Sequence, residues 1–324
     1  MNSLETIKSE FEQFLLSQIP QKKPHKLYQP LKYILENGGK RIRPLLVLLA
    51  TKSFGQEIKE GFPAAASIEI FHNFSLIHDD IMDKAEIRRG KPSVHKKWND
   101  NIAILSGDTM LILAFKMLEN YPAEIFKKLS TLLHQTAIEV CEGQQLDMDF
   151  ENRNDVQIEE YVEMIRLKTA VLLGAALQFG GIISKTSNEN LKNIAEFGIQ
   201  LGLAFQIQDD YLDIYGDSQK FGKKMGGDII DRKKTFLYLT ALNQSDETDK
   251  KLLIDLYNNK QIDDQKLINS VIQIFDKYQI GDLTQKQIER YTQQSLDYLK
   301  KTDMPSSEKN FWKNFALNLM KRAH

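Results

Sequence analysis

Two short acidic segments could do chemistry in this chain: Leu76-Ile77-His78-Asp79-Asp80-Ile81-Met82-Asp83 and Phe205-Gln206-Ile207-Gln208-Asp209-Asp210-Tyr211-Leu212-Asp213. Each sets Asp-Asp-x-x-Asp on an apolar, helix-spaced background. Residues four apart share a helix face, so Asp79 and Asp83 point one way, as do Asp209 and Asp213. Asp80 and Asp210 lie about 100° round the helix. Gln206 joins the second set at helical spacing. Like charges one turn apart repel, and Phe71, Phe74, Leu76, Ile77, Phe205, Ile207 and Leu212 surround them with apolar surface. Carboxylates in such a setting need a cation. Hard oxygen ligands suit Mg2+, which keeps waters and bridges protein carboxylates to phosphate oxygens. Two clusters of this kind can hold several Mg2+ around one diphosphate.

Fixed positive charge stands near both motifs. Lys40 and Arg43 lie at a helix start within Gly38-Gly39-Lys40-Arg41-Ile42-Arg43-Pro44. Arg88 and Arg89 follow the first motif. Lys168-Thr169 interrupts an apolar helix, and Lys223 and Lys233 flank a glycine-rich loop that also carries Asp228 and Asp231. Arginine forks and lysines beside metal-binding carboxylates read as phosphate clamps.

These groups need a rigid frame, and the sequence predicts helices. No proline lies between Pro122 and Pro305, and proline is costly inside helices. Phe126, Leu129, Leu132, Leu133, Thr136, Ala137 and Val140 recur at three- and four-residue steps, as do Ile194, Phe197, Gly198, Leu201 and Phe205. Breaks fall at Asn37-Gly38-Gly39, at the loop Arg89-Gly90-Lys91-Pro92, at Asn152 to Asp155, at Ser184 to Asn188 and at Gly216 to Gly227. The expectation is all-α: one domain over residues 1–324, a single large helical bundle. Residues 243–324 are more polar and are expected to pack as peripheral helices.

Composition narrows the function classes. Lys+Arg total 43 against Asp+Glu 44, so no global positive field favours nucleic acid. Apolar residues make up 42%, enough for a core rather than disorder. Cys141 is the only cysteine, which excludes an intramolecular disulfide and a cysteine zinc cluster. It follows Ala137, Ile138 and Val140 in an apolar-periodic run and is expected to pack in the core. The amino-terminal residues show no signal-peptide apolar region, and no uninterrupted apolar stretch reaches about 18 residues. The expectation is a soluble, cytoplasmic protein without a membrane span.

From about Tyr28 to about Leu242 the chain resembles the trans-isoprenyl diphosphate synthases of the polyprenyl synthetase family. The matching blocks are GGKRIRP, HNFSLIHDDIMD, RRGKPSVH, GDTML, EGQQLDM, KT, FQIQDDYLD and GKKMGGDIIDRKKT, in the family's order. The resemblance implies an all-α bundle around a central cavity, usually a homodimer. It implies an enzyme that condenses isopentenyl diphosphate 1'-4 with an allylic diphosphate: dimethylallyl, geranyl or farnesyl. By the same resemblance Asp79, Asp83 and Asp209 coordinate Mg2+, three ions with diphosphate bound, with Asp80, Asp210 and Asp213 supporting. Arg88, Lys168, Lys223 and Lys233 bind the allylic diphosphate. Thr169 and Gln206 sit beside the allylic carbons, where their oxygens stabilise positive charge. Lys40, Arg43, His72 and Arg89 hold the diphosphate of isopentenyl diphosphate.

Chain length falls, by the same resemblance, to the helix before Asp79. Phe74 lies five residues before it, about 7.5 Å along the axis. A bulky residue there restricts growth; Phe71 lies one turn below, and Ser75 is small. The first motif has two residues between Asp80 and Asp83, without the insertion common in bacterial short-chain members. The expectation is a twenty-carbon product, geranylgeranyl diphosphate, with farnesyl diphosphate the rival. A terpene cyclase normally has one such motif with a different second site. A phosphohydrolase using His78-Asp79 lacks its other metal-binding histidines. A non-catalytic partner subunit of a heteromeric synthase is the alternative of another class, although such subunits commonly lose an acidic motif and both are intact here.

Overall fold

The structure, a computed structural model, describes residues 4–216 and 226–321. Of the described residues 79% are helical, and contacts group the chain into two compact units. The first takes residues up to Gln135 together with Ala175–Leu191; the second takes Thr136–Gly174 and the residues from Lys192 on.

The first unit contains α1 (Leu4–Ser17), α2 (His25–Glu36), α3 (Ile42–Ser53), α4 (Phe62–Met82), the short α5 (Val94–Lys97) and α6 (Asp100–Leu118), with the beginning of α7 (Ala123–Glu151) and the end of α9 (Val171–Ile183). The stop expected at Asn37 is seen: Asn37 caps α2, and the next helix starts at Ile42. Helix α4 packs mainly on α6 and α3. Its start carries Pro63, where a missing N–H costs nothing.

The predicted loop at Arg89 to Pro92 is instead a two-stranded hairpin, Ile87–Arg88 paired antiparallel with Lys91–Pro92. Its two turn residues, Arg89 and Gly90, both have positive φ, 54° and 75°. That pair of angles matches the tight hairpin turn whose twist suits the strands it joins.

The second unit contains the rest of α7, α8 (Ile158–Ile165), a π-helical turn Arg166–Ala170, the start of α9 and most of α10 (Asn188–Tyr215). It continues through α11 (Gly227–Ile230), α12 (Phe236–Gln244), α13 (Glu247–Asn258), α14 (Asp264–Lys277), α15 (Ile280–Lys300) and α16 (Ser306–Lys321). The polar segment after 243 is not merely peripheral. Leu253, Leu256, Leu267, Val271, Phe275 and Ile280 are buried in one cluster with Ile207, Phe236 and Leu237. Amphipathic helices keep a polar composition while burying one apolar stripe.

Cys141 is exposed, contrary to its expected place in the core. The buried stripe of α7 runs through Leu129, Leu133, Thr136 and Val140. One residue further is about 100° round the helix and off that stripe. Ile138, on the side of the helix opposite that stripe, is exposed as well. Partial burial and Glu142 push the thiol pKa up, so Cys141 is not an activated nucleophile.

Among the described residues, two helical stretches, Asp100–Leu118 and Ile158–Ile183, are long and apolar enough to cross a membrane by length and composition. The second has 78% of its apolar window buried within the protein, as a core helix does.

Candidate active site

The first acidic motif ends α4, a helix apolar nearly all round because Ala64, Ala65, Ala66, Ile68, Ile70, Phe71 and Ile77 are buried. Asp83 is the C-terminal cap and is exposed; its N–H donates to the carbonyl of Asp79 at 2.8 Å. Asp79 lies one turn earlier, half-buried. Carboxylates at a helix C-terminus oppose the helix dipole, which adds to their demand for a cation. Asp80 is 0% exposed. Its Oδ1 accepts from Nε of Arg88 at 2.9 Å and also from Nη2. Through Oδ1 Asp80 anchors Arg88, while its Oδ2 is buried and has no hydrogen-bond partner among the described residues.

The hairpin places Arg88 and Arg89. Nη1 of Arg89 donates to the carbonyl of Gly38 at 2.6 Å. Nη1 of Arg43 lies 3.1 Å from Nε2 of His72. Burial first, then Arg43 and Arg89, hold the His72 pKa well below its ordinary value. His72 is thus a neutral imidazole, and because a guanidinium can only donate, Nε2 is the acceptor. Neither of these two contacts cancels a charge. Lys40 is exposed just ahead of α3. Thus Arg43, His72 and Arg89 come together in the first unit around a concentration of positive charge suited to an anion.

The predicted chain-length residues lie on the same helix. Phe71 is fully buried, with its ring 5.6 Å from that of Phe74. Phe74 in turn meets the His78 ring edge-on at 4.9 Å. Ser75 donates to the carbonyl of His72 at 2.8 Å.

In the second unit Lys168 and Thr169 occupy the π-helical turn. Such turns hold one extra residue and recur at functional sites. Nζ of Lys168 donates to Asp147 at 2.6 Å, and Oγ1 of Thr169 donates to Oε1 of Gln206 at 3.2 Å. The wide turn fits because glycines face it: a Cβ on Gly143 would lie 2.3 Å from the Lys168 nitrogen, and one on Gly202 would lie 2.8 Å from Cα of Ala170. Gly143→Ala is therefore expected to shift the Lys168–Thr169 backbone. Misplacement on the scale of 1 Å lowers kcat by about a hundredfold. Steady-state kinetics checks this, and a kcat within twofold of wild type overturns it.

Asp209 is exposed and Asp210 buried. The Asp210 carboxylate accepts from the Tyr161 hydroxyl, from the Phe236 N–H at 3.3 Å and from the Gln206 amide at 3.4 Å. Burial and then Asp228 push its pKa up to about 8, against the pull of those three donors. Both of its oxygens thus face protein donors. Asp213 accepts from the Asp228 N–H at 2.9 Å and so caps α11. Asp228 has its pKa raised, chiefly by burial. Lys233 lies 3.6 Å from Asp228. Lys223 lies outside the described residues.

Asp147, Tyr161, Gly143 and the pair Arg41–Glu69 were not predicted as functional positions. Asp147 and Gly143 fall inside EGQQLDM, where Gly143 breaks an apolar helix pattern. Tyr161 and Glu69 carry no sequence signal of their own, because their partners are distant in the chain.

Among the described residues no three His, Cys, Asp or Glu side chains converge as a metal cage. That fits Mg2+, which is usually bound through one or two carboxylates with waters and substrate phosphate completing the shell.

A family model described as polyprenyl synthetase matches residues 24–275. A short chain isoprenyl diphosphate synthase of Methanothermobacter thermautotrophicus is 41% identical over 256 residues, covering 79% of this chain and 78% of the relative. A geranylfarnesyl diphosphate synthase of Natronomonas pharaonis is 41% identical over 246 residues, covering 70% and 72%. A crystal structure of a geranylgeranyl pyrophosphate synthase superposes with a TM-score of 0.95 at 42% identity, covering 100% of both chains.

Proposed function

The chain belongs to the polyprenyl synthetase family, and we propose that this prenyltransferase joins isopentenyl diphosphate to an allylic diphosphate, with geranylgeranyl diphosphate as its main product. The observation that carries the reading is the π turn. Lys168, a cation for a phosphate, and Thr169, a neutral oxygen bonded to Gln206, are consecutive residues there. Such a pair serves a leaving anion and a carbon cation at once, and needs no nucleophile of the protein.

Asp79, Asp83 and Asp209 would hold Mg2+, which stabilises the negative charge of the departing diphosphate when bound. Arg88, Lys168 and Lys233 grip the same diphosphate, and Lys223 joins them on sequence grounds. Asp80 and Asp147 hold Arg88 and Lys168 in place. The allylic C–O bond breaks and its electron pair leaves with the diphosphate. The oxygens of Thr169 and Gln206 stabilise the cation left behind. Lys40, Arg43, His72 and Arg89 hold isopentenyl diphosphate by its own diphosphate. Its double bond supplies the electrons of the new C–C bond, and a proton is lost to the released diphosphate, restoring a double bond. Phe74, backed by Phe71 and next to the small Ser75, limits the growing chain.

We also propose that two copies pair through α6, where Ile104, Leu105 and Ile112 are exposed and apolar. The test uses the purified chain, expected to scatter light as a dimer. It is incubated with Mg2+, labelled isopentenyl diphosphate and each allylic primer in turn, and the products are sized. Elongation ending at twenty carbons, also from farnesyl diphosphate, supports the reading. Stopping at fifteen, or running to twenty-five and beyond, overturns the product assignment. No elongation with any primer overturns the enzyme reading in favour of a partner subunit, and a monomer overturns the pairing.

A further inference from the structure

Resting on the reaction proposed above, we infer that Tyr161 is a positioning residue which acts through Asp210 to fix the direction in which Gln206 and Thr169 present their oxygens. The argument starts at the carboxylate. Oδ2 of Asp210 faces the Tyr161 hydroxyl and the Phe236 N–H, and Oδ1 faces the Gln206 amide. The Gln206 amide presents its NH2 to Oδ1 of Asp210 at 3.4 Å. The amide has one oxygen, and it is thereby aimed away from Asp210, where it receives the Thr169 hydroxyl at 3.2 Å. A hydroxyl has one hydrogen to give. With that hydrogen given to Gln206, Thr169 keeps its lone pairs for a positively charged neighbour.

Tyr161 stands at the head of this relay. It lies on α8, while Asp210 and Gln206 lie on α10 and Thr169 on the π turn. Tyr161 is 3% exposed, and burial, with Asp210 second, holds its phenol pKa well above the ordinary range. It therefore stays a donor. Phe236 opens α12, whose start is capped by Thr235, so the second donor to Asp210 is fixed by a helix end. Without the Tyr161 hydroxyl, Oδ2 keeps only the Phe236 N–H. The carboxylate is then free to rotate, and the Gln206 amide loses the group that chooses its orientation. Linked donors and acceptors of this sort polarise one another in a low-dielectric interior, so the effect of the first bond reaches the last.

The experiment is a double-mutant cycle on the full chain: wild type, Tyr161→Phe, Gln206→Ala and the double variant. For each, kcat, KM for both diphosphates and thermal midpoint are measured with Mg2+ present. The expected result is a fall in kcat of about tenfold for Tyr161→Phe, with KM for isopentenyl diphosphate unchanged. In the Gln206→Ala background the same substitution is expected to change kcat less than twofold. A purely structural Tyr161 would give losses that multiply, and that result overturns the proposal, as does an unchanged kcat in Tyr161→Phe. Asp210→Asn, similar in shape, serves if Tyr161→Phe does not fold. It is expected to show the same lack of additivity with Gln206→Ala, and multiplying losses there overturn the proposal equally. A wild-type chain that elongates no primer sinks the reaction and this inference together, whereas an active wild type with multiplying losses sinks this inference alone.

Discussion

Asp79→Ala and Asp209→Ala are each expected to lower turnover by about a thousandfold or more while leaving the helical circular dichroism intact, because each removes a carboxylate that would hold charge-stabilising metal. The contrast with their neighbours makes the prediction sharp. Asp80 and Asp210 are buried and bonded to Arg88 and to Tyr161. Removing Asp210 strands the buried Tyr161 hydroxyl, and removing Asp80 takes the anchor from the partly exposed Arg88, so both cost stability. Asp79 is half-buried and Asp209 exposed, so their loss falls on chemistry. The check is steady-state turnover across a Mg2+ titration, with thermal unfolding alongside. Unchanged turnover in both variants refutes the metal assignment.

Arg41→Ala is expected to destabilise the protein by about 3–5 kcal/mol, the usual loss when one partner of a buried ion pair is removed. The side chains of Arg41 and Glu69 are each 3% exposed. Arg41 reaches Glu69 with Nη1, the carbonyl of Leu35 with Nη2 and Glu12 with Nε at 3.2 Å. Asn73 adds a bond to Glu69 at 3.0 Å. One guanidinium thus ties α1, the end of α2 and α4 together from the start of α3. Arg41 itself has φ 51°, an uncommon conformation for a residue other than glycine, held by these contacts. Without it, Glu69 keeps a buried charge with only an amide to answer it. Urea denaturation measures the loss, and a change below about 1 kcal/mol would show that water replaces the guanidinium.

Much of this was legible in the sequence, for stated reasons. The helical class follows from spacing and from the proline-free stretch after Pro122. The acidic motifs stand out because paired carboxylates in apolar helices are costly. The stop after Glu36 is written in Asn37-Gly38-Gly39. What escaped was set by partners distant in the chain. Asp80 and Asp79 are adjacent letters of one motif, yet one turns inward to Arg88. Asp210 faces Tyr161 and Phe236, which lie 49 and 26 residues away in the chain. Cys141 missed the core by one residue of helical phase. The π turn left no mark, because an extra residue in a helix changes no residue type.

That extra residue has a consequence for how the site can be inherited. An amino acid inserted into a helix is tolerated where the added bulk can go outward to water. Here it lies between Gly143 and Gly202, and side chains at those positions would collide with it. The insertion and the two glycines therefore behave as one unit of change. Acquired singly, the insertion meets two obstructing side chains. Once assembled, the three positions hold one another in place, and drift at any one of them is penalised by the other two.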